Sequence, residues 1–232
     1  GVIEILSSRR EYTKLNPFIV LLGKGEHQIT SDPGCDADSL STLDITRSNI
    51  TFVGTGKDTT KILGGFRIEN VENITFKELT VTNTLMIASG YGICIMRNAK
   101  VELFDVALKG CNGIALYLHS PSYETTETTV VATRCEFANS SQGCEVDGRL
   151  ISATFNNCKF HGNQSGLKVF HHGKIHLYGE TTAIHSNYRH GIVACDSGKA
   201  VIHLPSHHNT SYNNGREDRC ANGGGTITNV ED

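Results

Sequence analysis

One short phrase recurs five times along this chain: a turn residue, a glycine, then alternating apolar residues. It reads Tyr91-Gly92-Ile93-Cys94-Ile95, Asn112-Gly113-Ile114-Ala115-Leu116, Gln142-Gly143-Cys144-Glu145-Val146, Ser165-Gly166-Leu167-Lys168-Val169 and His190-Gly191-Ile192-Val193-Ala194. The glycines lie 21, 30, 23 and 25 residues apart. A second phrase recurs with it: Leu79-Thr80-Val81, Val106-Ala107-Leu108, Cys135-Glu136-Phe137, Cys158-Lys159-Phe160 and Thr182-Ala183-Ile184. Asn tends to follow, at Asn83, Asn139, Asn163 and Asn187. A third lies between them, from Ile50-Thr51-Phe52 to Ile202-His203-Leu204. Alternation with period 2 gives strands that turn one face inward. Three such strands per unit, with Gly and Asn at the bends, predict a coil of a parallel β-helix. One coil cannot bury its apolar face alone. Stacking coils about 4.8 Å apart buries a continuous column and lets Asn side chains form a ladder.

Composition bounds the rest. The 232 residues set a prior of about 1.5 domains, and the repeat makes one all-β domain of 1–232 with about eight or nine coils the expectation. Residues 1–16 are read as an N-terminal cap in which Ile3, Leu6 and Leu15 cover the open end, and 205–232 as a loop-rich last coil. An apolar fraction of 38% suffices for a core that is one narrow column. With 21 basic and 24 acidic residues, net −3, there is no basic excess for nucleic acid. No run of 18 apolar residues predicts a membrane span. The eight cysteines include no C-x-x-C pair, so zinc-ribbon spacing is absent. Five N-x-S/T triplets begin at Asn49, Asn73, Asn139, Asn163 and Asn209. Export would make these glycan sites and the cysteines disulfides. The plainer reading gives the Asn to tight turns and the Cys to the packed interior. The chain begins at Gly1 without Met, as a trimmed or excerpted chain would, and the leaning is toward an extracellular, virion or cell-surface location.

The Gly-led phrases, with NITFVGTGKDTTKI and NITFKELTVTN, resemble the opening coils of the right-handed parallel β-helix superfamily of pectate lyases and related carbohydrate-active proteins. The resemblance covers about residues 17–230. The tail IHLPSHHNTSYNNGREDR is also similar to β-helix proteins of algae and their viruses. The superfamily implies the fold, and it spans lyases, hydrolases, esterases, epimerases, tailspikes and non-enzymatic coat or adhesion proteins. Its site motifs are not carried over. Asn83-Thr84 is followed by Leu85, where polygalacturonases have N-T-D. Tyr91-Gly92-Ile93 runs into Cys94-Ile95-Met96 instead of the D-P-H of alginate epimerases, and the R-x-P-x-x-R of pectate lyases is absent. Fold alone supplies no activity.

The repeat predicts what faces outward. Aligning the phrases on their glycines puts Cys94, Ala115, Glu145, Lys168 and Val193 in one outer row. Met96, Tyr117, Asp147, Phe170 and Cys195 form a second, and Asn98, His119, Arg149, His172 and Ser197 a third. Three coils then gather acids, bases and aromatics on one face. Asp147, Glu145, Lys168, Arg149 and His172 are the candidate catalytic residues, and Tyr117, His119 and Phe170 the candidate sugar contacts. Cationic groups neutralise a uronate, and a base removes its C5 proton. Carboxylates at i and i+2, about 7 Å apart, would instead suit inverting hydrolysis. An enzyme would also need loops walling this groove, for instance from Ser120–Thr128. The plainer reading is a solvated face with Glu145–Lys168 and Asp147–Arg149 surface pairs.

Nine of the 11 histidines fall between His161 and His208, and His176 and His203 occupy matching phrase positions. Stacked imidazoles suit a shared metal or a pH response, or are simply exposed. No metal site is assigned. GTGKDTT lacks the full phosphate-loop pattern and leads into a strand, so it reads as a turn. The expected function is a carbohydrate-recognising module that binds a polysaccharide along the Gly-led face. The alternatives are a lyase, C5-epimerase or hydrolase on an acidic glycan, and a structural solenoid of a coat, wall or larger assembly that self-associates. No cofactor is expected, apart from Ca2+ if the chain is a lyase.

Overall fold

The computed structural model describes residues 12–29, 42–85, 90–120 and 125–230. These form a β-solenoid with every strand-to-strand pairing parallel. Three sheets run along the axis. The first has nine strands, from Phe18–Leu21 to Thr226–Asn229, and the second eight, from Gly25–Gln28 to Ser211–Tyr212. The third also has eight: Thr42–Ile45, Gly65–Glu69, Ile93–Met96, Ile114–His119, Gln142–Asp147, Ser165–Phe170, Ile192–Ala194 and Arg219–Ala221. The chain visits the sheets in strict rotation, giving eight three-strand coils with Thr226–Asn229 opening a ninth. Among the described residues no helix is long and apolar enough to cross a membrane.

Each sheet contributes inward rows that close on one column. In the second sheet Ile62, Val81, Leu108, Phe137, Phe160 and Ile184 follow one another coil by coil, all buried. Aromatic rings meet at the centre of two levels. Phe52, Phe66 and Phe76 form one cluster, and Phe137, Phe155 and Phe160 the other.

The bends repeat as faithfully as the strands. Between the first and second sheets, Glu78, Asp105, Arg134, Asn157 and Gly179 share one rung and all have φ between 52° and 82°. A left-handed residue at the same place in these five coils turns the chain without breaking the ladder. After the second sheet, Gly110, Asn139, Gly162, Ser186 and Asn213 do the same. Directly beyond lies the expected ladder, one residue later than the Asn139 position suggests. Asn163, Asn187 and Asn214 stack there, with Ser140 taking the rung above. Asn163 is 0% exposed, so this triplet is a structural rung and no glycan acceptor in the folded chain. Asn49 and Asn73 likewise sit in left-handed bends, and Asn73 Nδ2 donates to Asn49 Oδ1 at 2.9 Å.

All seven cysteines among the described residues are free, and five of them are buried. This is the packing reading, not the disulfide one; Cys35 lies outside the described residues. GTGKDTT forms the bend that leads into strand Thr60–Leu63. Of the expected cap, residues 1–16, residues 1–11 lie outside the described residues, and Leu15 is 98% exposed and covers nothing.

Candidate functional site

The third sheet is the Gly-led one. Its outward rows differ from the glycine alignment by a slip of two residues in a single strand. Tyr117 pairs with Cys94 and Glu145, and His119 with Met96 and Asp147. The rung of the leading glycine is Gly65, Gly92, Ala115, Gly143, Gly166 and Gly191. A Cβ at Gly143 would sit 2.6 Å from the Gly166 carbonyl oxygen, and one at Gly92 2.6 Å from that of Ala115. Ala115 is the small residue of its coil, and Asn112-Gly113 lies in the preceding turn. The slip preserves faces because the strand period is 2.

The first outer row therefore reads Arg67, Cys94, Tyr117, Glu145, Lys168, Val193 and Cys220. The second reads Glu69, Met96, His119, Asp147 and Phe170. There is no third row. Strands Gln142–Asp147 and Ser165–Phe170 end where it would begin. Gly148, at φ 130°, carries the chain away, and Arg149 is exposed in the turn. His172, also left-handed at φ 66°, is exposed in the next turn. Arg149 and His172 are thus not beside Asp147 in a row.

His171, which the sequence pattern passed over, takes that place. Its Nδ1 donates to Asp147 Oδ1 at 2.6 Å, and its Nε2 lies 4.0 Å from Asp196 Oδ2. The hydrogen bond to Asp147 raises the imidazole above its usual value, with the charges of Asp147 and Asp196 adding to it. On the other side His119 Nδ1 lies 3.5 Å from Asp147 Oδ2, without the alignment of a hydrogen bond, so this buried nitrogen has no hydrogen-bond partner. Asp147 thus stands between two imidazoles. Glu145, two residues before it, is half-buried. Burial raises its carboxyl, the facing Lys168 opposes this, and Asp147 reinforces it. Among the described residues Glu145 forms no ion pair within 4.0 Å, so the expected surface pair with Lys168 is only a through-space one.

Tyr117 packs against Tyr91 with centroids 5.0 Å apart and against His119 at 5.9 Å. Burial, then the charges of Asp147 and Glu145, raises its phenol, so it is a donor and not a base. Cys94 in the same row is no nucleophile, because burial pushes its thiol up to about 12. Phe170 extends the surface beside Asp147. Of the loop expected to wall the groove, residues 121–124 lie outside the described residues.

The other two sheets carry histidine stacks. On the second, His161, His185 and Tyr212 stack at 5.3 Å intervals. Glu136 accepts from Lys109 at 2.8 Å and His161 at 2.9 Å beside a groove of about 580 Å³. On the first sheet another slip of two pairs His176 with Val201, setting His203 beside Tyr178. The rings of Tyr178 and His203 stack at 4.0 Å, and His176 Nδ1 lies 3.0 Å from His203 Nε2. Burial, then His203 and Lys174, lowers His176 below 6.5. A folded-state pKa below the unfolded one binds fewer protons, so stability falls as pH drops through the unfolded value. His176 therefore contributes a fall in melting temperature between about pH 7 and pH 5, as does His185, whereas His171, raised by Asp147, contributes the opposite slope. His176→Asn should flatten that slope in a pH series of thermal melts; an unchanged slope would remove His176 as a source.

The family model described as a right-handed β-helix region matches residues 41–182, more than half of the chain. The chain belongs to the right-handed β-helix family. No curated protein matches the sequence. Among solved structures it is similar to ORF18 of Geobacillus virus E2, at 11% identity and a TM-score of 0.38. The match covers 92% of this chain and 53% of that one, so the chain spans about half the length of that viral protein.

Among the described residues of this right-handed β-helix, one group of three or more side chains has metal-ligand spacing. His190, Glu217 and Cys220 bring their ligand atoms within 4.8 Å of one another. Glu217 and Cys220 are three residues apart, and His190 joins them from the preceding coil. A motif confined to one stretch of chain, such as C-x-x-C, does not detect ligands contributed by adjacent coils.

Proposed function

We propose that the chain is a carbohydrate-binding module that holds a polysaccharide along the outward face of the third sheet. The observation that carries this reading is the pair of axial rows on consecutive coils: Tyr117, Glu145 and Lys168 beside His119, Asp147 and Phe170. A polymer running along the axis meets a new set of side chains about every 4.8 Å. Tyr117 is packed against its neighbours, so the surface offers polar edges, and Phe170 the apolar contact. Phenol and imidazole donors and carboxylate acceptors match sugar hydroxyls, and Lys168 suits a uronate.

A second reading rests on Glu145 and Asp147. A carboxyl raised by burial, two residues from a carboxylate hydrogen-bonded by His171, sets two candidate acid–base groups on one face. This favours a hydrolase, lyase or epimerase on an acidic glycan.

One experiment separates the two. Alginates, pectins and neutral glycans are titrated calorimetrically into the chain, while new reducing ends and unsaturated products are followed. Binding without product is expected, weakened about tenfold, or about 1.4 kcal/mol, in Tyr117→Ala and Lys168→Ala. Product that disappears in Asp147→Asn would replace the module with an enzyme. No saturable binding to any glycan would sink both readings.

A further inference from the structure

We propose that His190, Glu217 and Cys220 form a site for a borderline divalent cation, Zn2+ foremost, on the outward side of the last complete coil. The donor set is one imidazole nitrogen, one carboxylate oxygen and one sulfur, all within 4.8 Å of one another. A shared zinc, with bonds of about 2.0–2.3 Å, brings such atoms to under about 4 Å. Small side-chain rotations close that gap.

The sulfur decides the metal class. Thiolate with imidazole suits Zn2+ and its neighbours, whereas Ca2+ and Mg2+ take oxygen. Three protein ligands also leave a fourth position for water or a bound group, as in open zinc sites.

The backbone beneath the three is held in place. Gly191 N–H donates to the Glu217 carbonyl at 3.0 Å, and Ile192 N–H to that of Asp218 at 3.0 Å, which sets His190 beside Glu217. Cys220 lies in register with Val193 and faces outward. Asp218 turns the other way. Its Oδ1 accepts from Asn214 Nδ2 at 2.7 Å and from the Asn214 backbone N–H at 3.1 Å, tying the Glu217 loop to the end of the Asn ladder. Ser211 Oγ donates to the Asp218 carbonyl at 2.7 Å. At Gly191 a Cβ would lie 2.1 Å from Ser211 Oγ, so the coil before it is pressed against this clamp. The ligands therefore stand on fixed strand ends, as a preorganised site requires. On binding, the Cys220 S–H bond breaks, its electron pair forms the metal–sulfur bond, and the proton passes to buffer.

The reduced chain is titrated with Co2+ as an optical probe and with Zn2+ in competition. One equivalent is expected, with a sulfur-to-cobalt charge-transfer band that Zn2+ abolishes. Cys220→Ser should remove the band. His190→Ala and Glu217→Gln should weaken binding at least 10–100-fold, the loss that even an outer-sphere partner causes. Cys195→Ser should change nothing. In the unmodified chain, Zn2+ should protect Cys220 from alkylation but leave Cys195 reactive, a readout that survives if a variant misfolds. Absence of saturable binding, a band that outlasts Cys220→Ser, or equal alkylation of both thiols would overturn the site.

Discussion

Asn187→Ala is expected to cost about 3–6 kcal/mol of stability, because it orphans several buried groups at once. Asn187 Oδ1 accepts from the Asn163 backbone N–H and from Asn163 Nδ2, both at 3.1 Å. Asn187 Nδ2 donates to the Phe160 carbonyl at 3.2 Å and to Asn214 Oδ1 at 2.8 Å. Asn163 is 0% exposed and Asn187 2%, so the abandoned donors face a closed interior. Each unsatisfied group costs about 1–3 kcal/mol. In a chain of this size that lowers the melting temperature by about 6–24 °C. Calorimetric melts of the variant beside the unmodified chain measure it. A loss below about 1 kcal/mol would mean that water reaches the rung and replaces the amide.

Phe160→Ala should cost about 3–5 kcal/mol through a different mechanism. Phe160 stacks on Phe137 with centroids 4.6 Å apart and meets Phe155 edge-on at 5.0 Å. All three rings are fully buried. Truncation removes apolar contact and leaves a cavity that rigid parallel ladders on every side cannot collapse to fill. Phe170→Ala is the matched comparison. It lies on the outward row, so it should move stability by less than about 1 kcal/mol while weakening glycan binding. Denaturant unfolding of both variants tests the contrast. Equal losses would place Phe170 in the core.

The strands, their rotation among three sheets and the inward rows were legible because strand alternation and coil length both leave periodic marks. What failed was alignment by glycine alone. Ala115 does the work of a glycine, and Gly113 belongs to a turn, so Tyr117 and His119 were each placed one row too far. The error left both on the outer face, since two residues restore the same side of a strand. Arg149 and His172 were placed in a row that does not exist, because Gly148 and the left-handed pair His171 and His172 end the strands. No alternation marks where a strand stops. His171 was missed for the same reason: it reaches Asp147 from a bend, where side-chain direction does not follow the pattern. His190 was missed as a partner of Glu217 and Cys220 because it lies one coil before them.

Because each coil contacts chiefly the coils before and after it, the solenoid has a natural mechanical grain. A load that peels the chain from one end meets one coil's ladders at a time. Register partners such as Lys61 and Thr80, or Gly25 and Thr60, show that a coil holds 19 to 35 residues. At about 3.3–3.6 Å per residue, each released coil lengthens the chain by about 60–125 Å. Such a molecule yields in discrete steps, and the coils not yet reached keep their outward rows, and whatever they hold, intact under tension.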